Sequence, residues 1–131
     1  MSERYRELYD LSIAFLEAFN RNDLDGVMSY FAEDAVYEAL SGRVNHGREA
    51  IRKAFAPQFE GKFGAIAFIE EDTFIDAAAG KVMSSWDMTL EKDGVAQVMR
   101  GLDLLVFVGN KLVLKQTYVK TKSPLYTASG S

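Results

Sequence analysis

The stretch VMRGLDLLVFVGNKLV, at residues 98–113, has the pattern of two strands joined by a tight turn. Alternate residues of a strand point to opposite faces of its sheet, so Met99, Gly101 and Asp103 share one face. Gly109-Asn110 is a two-residue turn of the kind that joins antiparallel strands. The stretch therefore predicts a β-hairpin in which one acid, Asp103, has apolar neighbours on both faces.

Asp103 is the first candidate functional residue. A carboxyl group buried in a sheet needs a hydrogen-bond partner, or it stays protonated. Acids in such environments often belong to functional sites. Two roles are open for Asp103: a general acid, base or oxygen-binding group in a pocket, and a structural acid hydrogen-bonded to Ser84 or Gln116.

The other elements follow from periodicity and turn signals. Apolar residues at helical spacing predict a helix over 3–20, a short helix capped by Asn22 or Asp23, and a helix over 48–59. We expect a first strand over 35–40, a loop over 41–47, and four further strands at roughly 64–76, 81–91, 95–108 and 111–121. This order predicts an α+β domain in which helices cover one side of a curved antiparallel sheet.

Composition narrows the function classes. The chain has 131 residues, of which 48% are hydrophobic, which suits one domain over residues 1–122 with a tail at 123–131. A net charge of −4 argues against a general nucleic-acid binder. The absence of cysteine and the single histidine argue against disulfides and zinc. A charged N-terminus and the lack of a long apolar run argue against a signal peptide or a membrane span, so we expect a cytoplasmic protein.

The turns also predict which residues line a pocket. A two-residue turn at 93–94 places Trp86 opposite Gly101 and Ser84 opposite Asp103. A two-residue turn at 109–110 places Asp103 opposite Gln116. One side of the sheet then has the amphipathic character of a ligand cavity, and it comprises Ser84, Trp86, Met88, Met99, Asp103, Gln116 and Tyr118. A slip of one residue would exchange the two faces.

The opposite side of the sheet is strongly aliphatic. It carries Leu102, Leu104 and Val106, with Asp87 and Arg100 as a cross-strand ion pair. A sheet face with this much apolar surface is expected to be covered. Because the helices cover only one face, we expect a homodimer through this outer face.

Three segments resemble a known superfamily. They read FLEAFNRNDLDGVMSYFAEDAVYEAL at 15–40, NHGREAIRKAF at 45–55 and GLDLLVFVGNKLV at 101–113. They resemble nuclear transport factor 2-like proteins, in particular the polyketide cyclase (SnoaL-like) and ketosteroid isomerase branch. The resemblance implies a cone-shaped α+β barrel that is often dimeric, with a pocket between helices and sheet. The fold hosts several reactions and also non-catalytic domains.

Site residues are carried over from the isomerases one at a time. Their carboxylate base at the end of the first strand corresponds to Ala39, with Glu38 beside it. Their oxyanion-binding tyrosine on the first helix corresponds to Phe15. Their second acid, which is held protonated on a late strand, corresponds to Asp103. The resemblance therefore implies a role for Asp103 and not for the first-strand position.

These observations define a candidate site and leave three functions open. The first is a cofactor-independent isomerase, cyclase or lyase acting on a hydrophobic carbonyl compound, with Asp103 as the acid or base and Tyr37 as helper. The second is a non-catalytic binding domain for a small apolar ligand, and the third is a dimeric interaction module. No cofactor or metal is implied. The candidate substrate-binding residues are Phe15, Trp86, Met88, Met99, Gln116 and Tyr118.

Trp86, Tyr37 and the single histidine, His46, each have a structural interpretation beside the functional one. For Trp86, filling the barrel is favoured over stacking on a ligand, because an indole buries a large area. For Tyr37, core packing and hydrogen bonding to a ligand are equally favoured. For His46, a structural loop role is favoured over a proton shuttle.

Overall fold

The computed structural model describes residues 2–120, and within this range it contains three helices and one six-stranded sheet. The α+β class is confirmed. The predicted tail at 123–131 lies outside the described residues. The elements are α1 (Glu3–Asn20), α2 (Leu24–Ser29), β1 (Phe31–Glu38), β2 (Val44–His46), α3 (Gly47–Phe59), β3 (Ala65–Asp76), β4 (Lys81–Lys92), β5 (Val95–Val108) and β6 (Lys111–Val119).

The sheet has the strand order β2-β1-β6-β5-β4-β3, and it is curved and unclosed. Its neighbouring strands run antiparallel except for β1 and β6, which run parallel. This parallel pair joins the first and last strands, and it sets Tyr37 directly beside Lys115. Residues far apart in the sequence therefore meet in the middle of the sheet.

Helix α1 is fixed to the sheet at its C-terminal end. The Asn20 side chain donates from Nδ2 to the Phe68 carbonyl at 2.8 Å and accepts from the Phe68 N–H at 2.7 Å. At the other end of α1, the Ser2 hydroxyl caps the helix by accepting from the Tyr5 N–H. Because Phe68 lies on β3, the two bonds of Asn20 hold that strand against the helix.

Aromatic side chains fill the space between the helices and the sheet. Phe19 of α1 meets Phe15 edge-on at 5.2 Å between ring centroids and Phe55 of α3 at 5.3 Å. Edge-on contacts of this kind are favourable in apolar cores. The cluster joins α1 to α3, and the inner face of the sheet packs against it.

Two element boundaries differ from the sequence-based predictions. The predicted loop at 41–47 contains β2, which pairs with β1 through Val36 and His46 among others. A three-residue strand is too short to show the alternation that identifies strands. Strand β1 begins at Phe31 rather than at Ala35. Helix α3 ends at Phe59 as predicted, with Pro57 inside it.

The predicted register is confirmed for one hairpin and wrong for the other. Trp86 faces Gly101 and Ser84 faces Asp103 as expected. Asp103, however, faces Thr117 rather than Gln116. The cause is a β-bulge, since Val106 pairs with Leu114 while Phe107 pairs with Leu112, so that Val113 is the extra residue.

The bulge reverses the predicted faces of β6. Gln116 and Tyr118 were expected in the pocket, but they lie on the outer face, and Tyr118 is 51% exposed. Lys115 and Thr117 occupy the inner face instead, because side chains alternate along a strand. The one-residue slip thus brings a lysine into the interior of the domain.

Candidate functional site

The helices and the inner face of the sheet enclose a cavity of about 70 Å³. Its polar end is defined as the hydrogen-bonded cluster of Asp103, Lys115 and Thr117. Ser12, Gln58 and Ser84 are further polar residues of the lining. Leu40, which also lines the cavity, is 48% exposed. The walls are mostly aromatic and apolar, and they include Phe15, Phe19, Phe55, Phe68, Trp86 and Met88.

Asp103 is buried and accepts three hydrogen bonds. Its Oδ1 accepts from Lys115 Nζ at 2.9 Å and from Thr117 Oγ1 at 2.6 Å. Its Oδ2 accepts from Trp86 Nε1 at 3.1 Å. A carboxylate offers about four acceptor positions, so one position remains on Oδ2. A carboxyl group that accepts from an ammonium and two other donors is in its ionised form.

Lys115 is equally buried, and its ammonium is held between polar and aromatic groups. Two of its protons go to Asp103 Oδ1 and to Thr117 Oγ1, the latter at 2.6 Å. Its Nζ also lies 4.7 Å from the centroid of the Tyr37 ring and 5.6 Å from that of Phe55. Ring faces attract cations. The ion pair is therefore supported by enough partners to offset part of its desolvation cost.

Trp86 is held with its N–H directed at Asp103. Its ring meets Phe68 edge-on at 5.0 Å between centroids. Gly101 lies opposite the indole, and a Cβ at that position would come within 2.5 Å of Trp86 Cη2 and 2.6 Å of the Tyr118 carbonyl oxygen. The glycine is required because nothing larger fits between the ring and the neighbouring strand.

The structure brings most of the candidate residues together. Phe15, Trp86, Met88, Tyr37 and Asp103 all line the cavity. The ring of Tyr37 stacks on that of Phe55, with 4.6 Å between the ring centroids. Three of the candidates lie elsewhere: Met99, Gln116 and Tyr118 are absent from the cavity walls.

The partners predicted for Asp103 are also corrected. The Gln116 amide donates to Glu38 Oε2 at 2.9 Å on the outer face. The bonds to Asp103 come from Lys115, Thr117 and Trp86 instead. Regular alternation from the turn at 109–110 assigns Lys115 to the outer face, and the spacing of β6 carries no signal of the bulge.

His46 lies outside the cavity. It is exposed at the end of β2 and precedes α3 without capping it through its side chain. Within residues 2–120, no group of three or more His, Asp or Glu side chains is arranged to hold a metal ion. None of the helices in that range is long and apolar enough to cross a membrane.

The outer face of the sheet carries an apolar depression. Phe74 is 70% exposed there, and Leu104 is 37% exposed. Arg100 Nε lies 3.0 Å from Asp87 Oδ1, which confirms the predicted cross-strand ion pair. The depression is also lined by the charged residues Asp76 and Lys81 and by Val82, Met83, Leu105, Val106, Leu114 and Gln116.

Comparison with known proteins places this architecture in a family. The family model of the SnoaL-like domain matches residues 13–114. The chain belongs to the SnoaL-like family. This confirms the resemblance found in the sequence. No curated protein matches the chain significantly.

Solved structures share the SnoaL-like fold at low identity. A candidate SnoaL-like polyketide cyclase from Jannaschia sp. CCS1 superposes with a TM-score of 0.79 at 12% identity, covering 92% of this chain and 90% of that one. The epoxide hydrolase/cyclase-like enzyme SalBIII, which has a role in pyran ring formation in the polyether salinomycin, gives 0.78 at 14% identity, covering 88% and 92%. An NTF2-like protein of unknown function from Mesorhizobium loti gives 0.75 at 19% identity, covering 92% and 97%.

Proposed function

We propose that this SnoaL-like protein is a cofactor-independent isomerase, cyclase or lyase that acts on a hydrophobic, carbonyl-bearing small molecule. The observation that carries the proposal is a buried, ionised Asp103 at the polar end of an aromatic cavity, with one acceptor position left on Oδ2. A carboxylate in such a place is suited to remove a proton from carbon. Structural relatives that include cyclase-type enzymes support the same class of chemistry.

The proposed first step is the formation of an enolate. Asp103 Oδ2 takes a proton from the carbon beside the carbonyl group. The electron pair of that C–H bond becomes a C=C bond, and the carbonyl π electrons move to oxygen. Return of the proton to another carbon gives an isomer, attack of the enolate carbon on a second carbonyl group closes a ring, and loss of a leaving group gives a lyase product.

The fixed surroundings of Asp103 favour this role. Trp86 Nε1 and Thr117 Oγ1 hold the two carboxylate oxygens in one orientation. A base that is held in one orientation loses less to reorganisation than a base in solution. Tyr37 lines the cavity next to Lys115, whose Nζ lies 4.7 Å from the centroid of the Tyr37 ring, and in this proposal it helps to orient the substrate.

Deuterium exchange tests the proposal without knowledge of the product. Acetophenone, an aryl ketone with exchangeable methyl protons, is incubated with the protein in D2O, and deuterium incorporation is followed by NMR. We expect the wild type to accelerate exchange. Asp103→Asn, measured at a temperature at which its circular dichroism shows that it is folded, should lose about a hundredfold or more of that acceleration. Asp10→Asn, at an exposed position on α1, is the matched control and should behave as the wild type.

The alternative is a non-catalytic binding domain, which is favoured by the three hydrogen bonds already made to Asp103. Saturable binding of acetophenone with no exchange in the wild type would select that function. Equal exchange by the wild type and Asp103→Asn would refute the role of Asp103 as base.

We also propose that a second copy of the chain covers the outer face of the sheet. The helices cover only the inner face, which leaves Phe74, Leu104 and their apolar neighbours exposed. Asp76 and Lys81 line this patch with opposite charges, and Arg100 pairs with Asp87 and Glu71 elsewhere on the same face. A mixture of both signs of charge can be self-complementary across a two-fold axis. Family members are often dimeric, as the resemblance implies.

A further inference from the structure

We infer that Lys115 is the group in the cavity that binds the oxygen of the ligand when that oxygen carries negative charge. The inference deepens the proposed function and rests on it, because it assigns the enolate oxygen of the same reaction to a specific residue. It identifies a second catalytic residue, and it specifies the ligand class as planar molecules with an anionic oxygen on an sp² carbon, such as enolates and phenolates.

The ammonium group of Lys115 is positioned to bind a ligand oxygen. Lys115 has three protons, and two of them are committed to Asp103 Oδ1 and Thr117 Oγ1. The ammonium group also lies against the ring faces of Tyr37, Phe55 and Phe19, all of which line the cavity. A hydrogen bond from an ammonium to an anionic oxygen is stronger than its attraction to a ring face. We therefore expect an anionic ligand oxygen to replace the aromatic ring faces as a partner of the Lys115 ammonium.

Contact with Lys115 would also keep the buried charges balanced during the reaction. Before proton transfer, the carboxylate of Asp103 and the ammonium of Lys115 neutralise each other 2.9 Å apart. After transfer Asp103 is neutral, and the negative charge lies on the enolate oxygen. If Lys115 contacts that oxygen, the same ammonium pairs with the charge in both states. No uncompensated charge is then buried at any stage, which would otherwise be very costly in an apolar cavity.

The polar cluster favours ligands with an acceptor oxygen and disfavours cationic ligands. Thr117 and Trp86 have already committed their donors to Asp103, so the remaining donor of the polar cluster is the ammonium of Lys115. A cationic ligand would face a like charge there, whereas a carbonyl, enolate or phenolate oxygen would find a donor. The flat aromatic walls favour planar ligands.

The size of the cavity limits the ligand further. A dry cavity of about 150 Å³ accommodates benzene, and this cavity holds about 70 Å³. A single-ring ligand therefore requires a side chain to move, and Met88 and Leu40 are the flexible apolar groups of the wall. We expect single-ring compounds to be bound before fused-ring compounds.

The test uses 4-nitrophenol, whose ionised and neutral forms have different absorption spectra. Binding is measured at a pH at which the neutral form predominates in solution. We expect the wild type to bind it in the ionised form. The double variant Asp103→Asn/Lys115→Met removes both charges together, so no unpaired charge remains to unfold it. It should bind the ionised form about tenfold or more weakly.

Two further variants complete the experiment. Asp103→Asn alone keeps the ammonium and removes its competing carboxylate, so it should bind the ionised form at least as tightly as the wild type. Lys120→Met replaces an exposed lysine just after β6 and should bind as the wild type does. The inference is overturned if the double variant binds the ionised form as tightly as the wild type, or if the wild type binds only the neutral form or nothing.

The two proposals fail in different ways. Ionised nitrophenol bound through Lys115 without deuterium exchange of acetophenone would refute the catalytic function and retain Lys115 as an anion-binding residue. Exchange that depends on Asp103, together with nitrophenol binding that is indifferent to Lys115, would retain the base and refute the role of Lys115.

Discussion

Lys115 Nζ lies 2.9 Å from Asp103 Oδ1, with the two side chains 6% and 10% exposed. The residues are diagonal neighbours on β6 and β5, since Thr117 is the residue directly opposite Asp103. Long side chains can bridge this diagonal separation. The pair thus depends on both the length of the lysine and the register of the two strands.

Removal of one member of the pair should destabilise the protein strongly. Lys115→Met leaves the Asp103 carboxylate buried without its cation, and such losses cost about 3–5 kcal/mol. The measurement is the free energy of unfolding from urea denaturation. Lys120→Met, at an exposed position, should lie within about 0.5 kcal/mol of the wild type.

Removal of both members should be far less harmful. We expect the free energy of unfolding of Asp103→Leu/Lys115→Met to lie closer to the wild type than that of Lys115→Met, because apolar replacements of buried ion pairs are often neutral. If the double variant were as unstable as Lys115→Met, the destabilisation of Lys115→Met would not come from an unpaired buried charge.

Gly101→Ala should disturb the single tryptophan. The added Cβ would meet Trp86 Cη2 at 2.5 Å and the Tyr118 carbonyl oxygen at 2.6 Å, so overpacking should cost about 1–3 kcal/mol. Because Trp86 is the only tryptophan, its fluorescence reports the shift directly. In a Trp86→Leu background the penalty should fall, since one of the two contacts is gone. An unchanged penalty there would show that the indole is not the obstacle.

Asn20 should anchor β3 to α1. Asn20→Ala loses two hydrogen bonds to the Phe68 backbone, which should cost about 1–3 kcal/mol in unfolding free energy. Amide hydrogen exchange at Phe68 should also accelerate. Asn20→Asp keeps the acceptor and loses the donor, so it should show an intermediate effect. Equal protection of the Phe68 amide in all three proteins would contradict the anchor.

The outer face should control assembly. Leu104→Arg places a charge in the apolar depression, and we expect it to convert the proposed dimer to a monomer in light scattering at micromolar concentration. Tyr9→Arg, at a partly exposed position on α1, should leave the mass unchanged. A monomeric wild type, or a dimeric Leu104→Arg, would refute this interface.

Local signals predicted much of the fold. The turn at Asp93-Gly94 fixed the register of β4 and β5, because hairpin length determines pairing. Apolar spacing located α1 at Glu3–Asn20. Asp103 could be identified as a buried acid because alternation and neighbouring side chains are properties of the strand itself.

Local sequence patterns could not predict the contacts between distant segments. The parallel contact of β1 with β6, which sets Tyr37 beside Lys115, depends on how distant segments pack and not on the composition of either one. The bulge at Val113 is likewise decided by how β6 fits against β5. For this reason Gln116 and Tyr118 were assigned to the wrong face and Lys115 was missed.

The extra residue at Val113 has a consequence for comparing this domain with its relatives. A homologue without that residue would align without difficulty over β5 and the tip of the hairpin, and yet every later position of β6 would have the opposite orientation. A sequence alignment beyond the turn at 109–110 would then pair an interior side chain with a solvent-facing one. At 12–19% identity, superposed structures rather than aligned sequences must decide whether a relative has a counterpart of Lys115. Insertion or deletion of one residue in β6 would be enough to bring a lysine into the polar end of the cavity or to remove it.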